Sequence, residues 1–169
     1  MSQVTRFGPN PLLDQEIATK SYVDAGGGGG QTFARKVKTV DETIQSDIVV
    51  HDDDELFIPL TINRVFGFLF MGVITSAGPA DFKWTFTIPS GATGDWFRNP
   101  NLSTDSTAYG TTDDFSTGGG SVRELVPNYG RIIMGGTGGD IQFQWAQRTS
   151  TADDTIVRAG SSLVVWEEV

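Results

Sequence analysis

Five consecutive glycines, Gly26 to Gly30, divide this chain of 169 residues into two parts of different character. Before them stands a short run of good helix formers, and after them a long β-rich stretch. No regular element runs comfortably through five glycines, because each loses more backbone freedom on ordering than any other residue. As a flexible coil they span about 12 Å, enough for a head to pivot on its attachment. The alternative is that they pack closely on a three-fold axis. The division reads as an attachment arm over residues 1–25, a linker over 26–31 and a head over 32–169.

The arm begins with Phe7-Gly8-Pro9-Asn10-Pro11, where two prolines exclude helix and favour an extended path along another surface. A helix is predicted from an N-cap at Asp14 to Ala25, with Glu16 in its first turn to suit the dipole. Leu13, Ile17, Ser21 and Ala25 share one face, with Ala18 and Tyr22 beside it. A helix of about a dozen residues is marginal alone in water, so it persists only when packed on something, either copies of itself or a host protein. The alternative is a disordered tail. The expected docking surface is Phe7, Leu12, Leu13, Ile17, Tyr22 and Val23. Each side chain contributes roughly 1.5–3 kcal/mol when fully buried.

Composition removes several classes of function. A formal net charge of −9 leaves no basic patch for phosphates or anionic lipid, so nucleic acid and membrane surfaces are not expected partners. No apolar run approaches a bilayer span, and the N-terminus does not resemble a secretion signal, which points to synthesis in a cytosol. With no cysteine there is no disulfide, thiolate metal site or cysteine nucleophile.

Beyond Gln31 the pattern is that of an all-β domain, an antiparallel two-sheet sandwich most like a jelly roll. Phe82, Trp84, Phe86 and Ile88 alternate with Lys83, Thr85 and Thr87, and Ile141, Phe143 and Trp145 alternate with Gln142 and Gln144. Strands are also predicted over Thr43–Val50, Glu55–Leu60, Ser121–Val126 and Tyr129–Gly135. Val65 to Ile74 is apolar almost throughout, so both of its faces want cover. Phe66, Phe68 and Phe70 of this strand, with Trp166, are therefore the expected packing between heads; a central strand under a long loop is the alternative. The stretch from Gly91 to Gly120 reads as a surface loop whose aromatics Trp96, Phe97, Tyr109 and Phe115 contact a ligand; the alternative is that Trp96 and Phe97 simply tuck the loop onto the sandwich.

Catalysis finds little support. His51, the single histidine, stands beside Asp52, Asp53 and Asp54 at an expected turn and reads as a solvated residue. Asp52 to Glu55 offer oxygen ligands to calcium, but without EF-hand spacing or its central glycine. Gly135-Gly136-Thr137-Gly138-Gly139-Asp140 lacks the following helix and lysine of a phosphate loop and reads as a hairpin turn. No pair of carboxylates is singled out for glycoside cleavage. No cofactor is expected.

Ala18-Thr19-Lys20-Ser21-Tyr22-Val23-Asp24 resembles the ATKxYVD element found near the attachment ends of tailed-bacteriophage tail-fibre and head-fibre proteins. The head is similar to a domain of phage structural proteins in the order of Asp53-Asp54-Glu55-Leu56-Phe57-Ile58-Pro59-Leu60, Asp81-Phe82-Lys83-Trp84-Thr85-Phe86, Gln142-Phe143-Gln144-Trp145-Ala146-Gln147 and Val157-Arg158-Ala159-Gly160-Ser161-Ser162-Leu163. The resemblance implies a homotrimer of heads like those of tumour necrosis factor or C1q on the virion surface. It implies no enzymatic activity, with the arm held by a capsid, tail or baseplate protein. The absence of a long shaft between arm and head favours a capsid decoration, cement or head-fibre protein. The alternative is a tail-fibre tip whose Trp96 to Phe115 loop recognises a host surface glycan, with a polysaccharide-degrading enzyme as a third class.

Overall fold

Alternation along the chain becomes twelve strands in the computed structural model, which describes residues 33–98, 106–115 and 122–168. In order they are β1 (Phe33–Val37), β2 (Glu42–Ile44), β3 (His51–Leu60), β4 (Val65–Ser76), β5 (Phe82–Thr87), β6 (Thr93–Arg98), β7 (Thr107–Ala108), β8 (Asp113–Phe115), β9 (Val122–Ile133), β10 (Gly139–Ala146), β11 (Thr155–Val157) and β12 (Ser162–Glu167). The predicted arm helix, its docking residues Phe7, Leu12, Leu13, Ile17, Tyr22 and Val23, and the glycine tract lie outside the described residues.

Every strand pair is antiparallel, and the strands form two sheets. The larger runs β1-β12-β4-β9-β6-β7, with β11 also on β4 and β2 on β11; the smaller runs β3-β10-β5-β8. The inner faces meet in a core rich in aromatic rings. Phe70 of the large sheet stacks on Phe143 of the small one at 4.2 Å between centroids, and Phe68 meets Phe86 at 4.9 Å. Trp84, Trp96 and Trp145 are fully buried in the same cluster. Thr32–Val169 forms one compact unit.

Two glycines let the large sheet carry big rings. A Cβ at Gly67 of β4 would run into the indole of Trp166 on the neighbouring β12, so the ring lies flat over that glycine. A Cβ at Gly130 of β9 would meet Phe68 and the β6 backbone, so its absence leaves room for Phe68 in the core.

Several local expectations are corrected. Val122–Ile133 is one continuous strand, although two were predicted around Pro127 and Asn128. β6 pairs with β9 as far as Arg98 opposite Asn128, so Pro127 has no β6 partner among the described residues. Asn128 is buried and satisfied, accepting from Trp84 Nε1 at 3.3 Å and donating to the Val126 carbonyl at 3.3 Å. The glycine-rich segment after Met134 is not a hairpin, because β9 and β10 belong to different sheets and it carries the chain between them. His51 to Asp54 lie in β3 rather than in a turn, and Gln45 to Val50 lie outside any strand.

Candidate interaction surface

The outer face of the large sheet is apolar across its middle. Along β4 the even-numbered residues Phe66, Phe68, Phe70 and Ile74 point into the core, which turns Val65, Leu69, Met71 and Val73 outward. Strand register sets Val164 of β12, Leu69 of β4, Tyr129 of β9 and Phe97 of β6 side by side in one row. Arg35 of β1 closes that row at one end. On one side of it lies Trp166 over Gly67, next to Phe33; on the other lie Met71 and Pro127.

Phe97 and Tyr129 stack at 5.3 Å between centroids and 16° between planes, forming a flat aromatic platform on the outside of the sheet. Leu69 beside it is 38% exposed and Phe33 at the edge 65%. Charged residues share this face: Arg131, in the row of Trp166 and Gly67, stands opposite Asp95 and pairs with Glu168 at 2.7 Å, while Arg64 pairs with Glu167 at 3.0 Å. The face thus carries one apolar row between charged neighbours.

The structure redistributes the residues expected to join heads. Phe66, Phe68 and Phe70 are buried in the core of their own chain, with the last two at zero exposure, so they offer nothing to a partner. Strand alternation is the reason: apolar residues on both faces of β4 were correctly noticed, but the phenylalanines belong to the inner one. Trp166 does lie on the outer face. Leu69 and Met71 belong to the interleaved set Val65, Gly67, Leu69, Met71, Val73 of the same apolar run, whereas Val164 and Tyr129 join them only through strand register.

The aromatics of the expected loop also separate. Residues 93–98, 107–108 and 113–115 are strands rather than loop. Trp96 is fully buried, edge-on to Phe86 at 5.2 Å, and Phe115 packs on Phe82 at 5.5 Å. Tyr109 is half-buried and donates its hydroxyl to the Arg131 carbonyl at 3.1 Å; burial, with Asp95 nearby, pushes its pKa well up. These three peg the segment to the sandwich, and Phe97 alone faces outward. The cleft beside Tyr109, about 510 Å³, is lined by Pro89, Ala92, Thr93, Ala108 and neighbouring small residues, with no charged side chain.

The acidic run does not converge on one point. Asp52 accepts from Gln144 Nε2 at 2.6 Å, Asp53 is buried against Lys38, and Glu55 accepts from Thr39 Oγ1 at 2.6 Å and Thr39 N–H at 2.9 Å. The Thr39 side-chain hydrogen bond leads the effects that hold Glu55 below the usual carboxylate pKa. His51 Nε2 lies 2.8 Å from Asp47 Oδ2 on the exposed surface. Among the described residues no group of three or more His, Cys, Asp or Glu is arranged to hold a metal ion. No family model, curated protein or solved structure matches this chain.

Proposed function

We propose that this chain is a non-enzymatic structural subunit of a bacteriophage particle, a homotrimer of jelly-roll heads carried by the N-terminal arm on the capsid as a decoration, cement or head-fibre protein. The observation that carries the assembly is the apolar outer row of Val164, Leu69, Tyr129 and Phe97, which a single chain leaves half-buried around an exposed Leu69. Three copies turned toward a common axis bury that row. Covering it contributes on the order of 1.5–3 kcal/mol for each side chain completely buried. The strand order supports the jelly-roll reading: β1 pairs with β12, β3 pairs with β10, and β3, β4 and β5 alternate between sheets. The phage assignment rests on the resemblance of the arm element and of the ordered head segments. Attachment by three arms at once strengthens a weak single contact through effective concentration.

The test is electron cryo-microscopy of the intact particle that incorporates this chain. Heads in threes at regular positions on the shell are the expected result. Copies confined to the tail overturn the capsid placement and return the adsorption reading.

A further inference from the structure

Just past β1, Lys38 is buried against a carboxylate: its side chain and that of Asp53 both have zero exposure. The backbone of Lys38 is clamped by the Ser161 carbonyl and the Gly160 N–H, each at 2.8 Å, so the side chain is delivered from a fixed base. Its Nζ lies 3.0 Å from Asp53 Oδ1 and 3.0 Å from Oδ2. An amine equidistant from both oxygens lies in the plane that bisects the carboxyl group and contains its carbon.

The two carboxyl oxygens are not equivalent. Oδ1 accepts the backbone N–H groups of Glu55 at 3.0 Å and Leu56 at 2.9 Å. Paired backbone N–H groups on one oxygen are the donors that stabilise an oxyanion during acyl transfer. Oδ2, although as close to the amine, makes no hydrogen bond. Glu42 Oε2 stands 2.6 Å from the amine, within proton-transfer distance.

We propose that Lys38 and Asp53 condense to an intramolecular amide, with Glu42 carrying the proton and the Glu55 and Leu56 N–H groups holding the developing oxyanion. The ammonium passes a proton to Glu42, and the freed nitrogen lone pair attacks Cγ of Asp53. The C–O π pair moves to Oδ1, the N–C bond forms, and Oδ2 leaves as water after taking protons through Glu42. Two of the three ammonium protons and one carboxylate oxygen depart as that water; the third proton stays on the amide nitrogen. No oxidant, reductant or metal enters the balance.

The surroundings favour the step. Burial draws the Lys38 pKa down, while its bonds to Glu42 and Asp53 hold it above the ordinary value, so the resting amine is protonated and Glu42 has to take its proton before attack. Burial raises the Glu42 pKa, which suits a group that has to accept and return a proton. Fixed reactants in a water-poor site have a high effective concentration, and condensation removes a buried ion pair whose desolvation is costly. The bond ties residues 15 positions apart, joining the end of β1 to β3 in a chain without cysteine, and constrains the unfolded chain as a disulfide does.

Mass spectrometry of the purified, denatured full chain tests this. The expected mass is lower by one water than the sequence requires. Trypsin cannot cut after an acylated lysine, so Val37 to Arg64 is expected as one peptide, also short by one water and lacking backbone fragments from the closed loop. A full sequence mass with normal cleavage after Lys38 overturns the proposal. So does a water loss with normal cleavage after Lys38, which marks a succinimide instead. Glu42→Gln, which keeps its size, is expected to fold and retain the full mass; wild-type cross-linking in that variant overturns the role given to Glu42.

Discussion

The two faces of β4 differ less in chemistry than in what covers them. The inner face sets Phe66, Phe68, Phe70 and Ile74 against the small sheet, where Phe70 finds Phe143 at 4.2 Å. The outer face sets Leu69, Met71 and Val73 among Val164, Tyr129 and Phe97, with Leu69 38% exposed. Hydrophobicity alone therefore does not say which side of a strand is core. The decision lies in size and shape: the inner face fills a gap between sheets with large rings, while the outer one is smoothed by Gly67 under Trp166 and by the flat Phe97–Tyr129 stack. The first face makes the domain, and the second is the one on which the proposed assembly rests.

The largest expected effect is on the inner face. Phe70→Ala removes a ring with no exposed surface and leaves a cavity, and should cost about 3–5 kcal/mol in chemical denaturation. Gly67→Ala forces the Trp166 indole off its seat and should cost about 1–3 kcal/mol, with a change in tryptophan fluorescence as the indole moves. On the outer face Phe97→Ala breaks only a surface stack, worth about 0.5–1.5 kcal/mol, measured on the dissociated chain so that assembly does not contribute. If Phe97→Ala in the dissociated chain cost as much as Phe70→Ala, the distinction between the faces would fail.

The smallest effect is confined to alkaline solution. Tyr109 has a folded pKa above its ordinary value of 10.0, so above that pH the unfolded chain releases a proton that the native chain retains. Stability contributed by the protonated phenol therefore declines as pH rises beyond 10.0. Thermal midpoints of Tyr109→Phe should fall less steeply than wild type in that range, and parallel curves would show that Tyr109 is not held protonated.

Strict alternation made β5 and β10 legible in the sequence, since Phe82, Trp84 and Phe86 and then Ile141, Phe143 and Trp145 occupy one face each. Where a special residue interrupted a run, local reading failed. Pro127 suggested a break in β9, yet it stands where the strand lacks a described β6 partner. The glycines after Met134 have the composition of a hairpin, but whether a turn returns along the same sheet or crosses to the other is decided by distant pairing. The acidic run His51 to Glu55 hid a strand because only Asp53 points inward, toward a lysine on another element. Nothing in a linear sequence announces that Lys38 and Asp53 meet. Of the expected contact residues, Trp166 stays on the outer face. Phe66, Phe68 and Phe70 do not, because an apolar run does not label its own sides.

The most direct measurement is the solution mass of the full chain by light scattering coupled to size exclusion, beside that of Leu69→Glu. Placing a carboxylate in the middle of the outer row should abolish assembly while leaving the fold, checked by circular dichroism, intact. A trimeric wild type and a folded, monomeric Leu69→Glu are the expected results. A monomeric wild type, or a trimer that survives Leu69→Glu unchanged, would contradict the assignment of this face as the subunit interface.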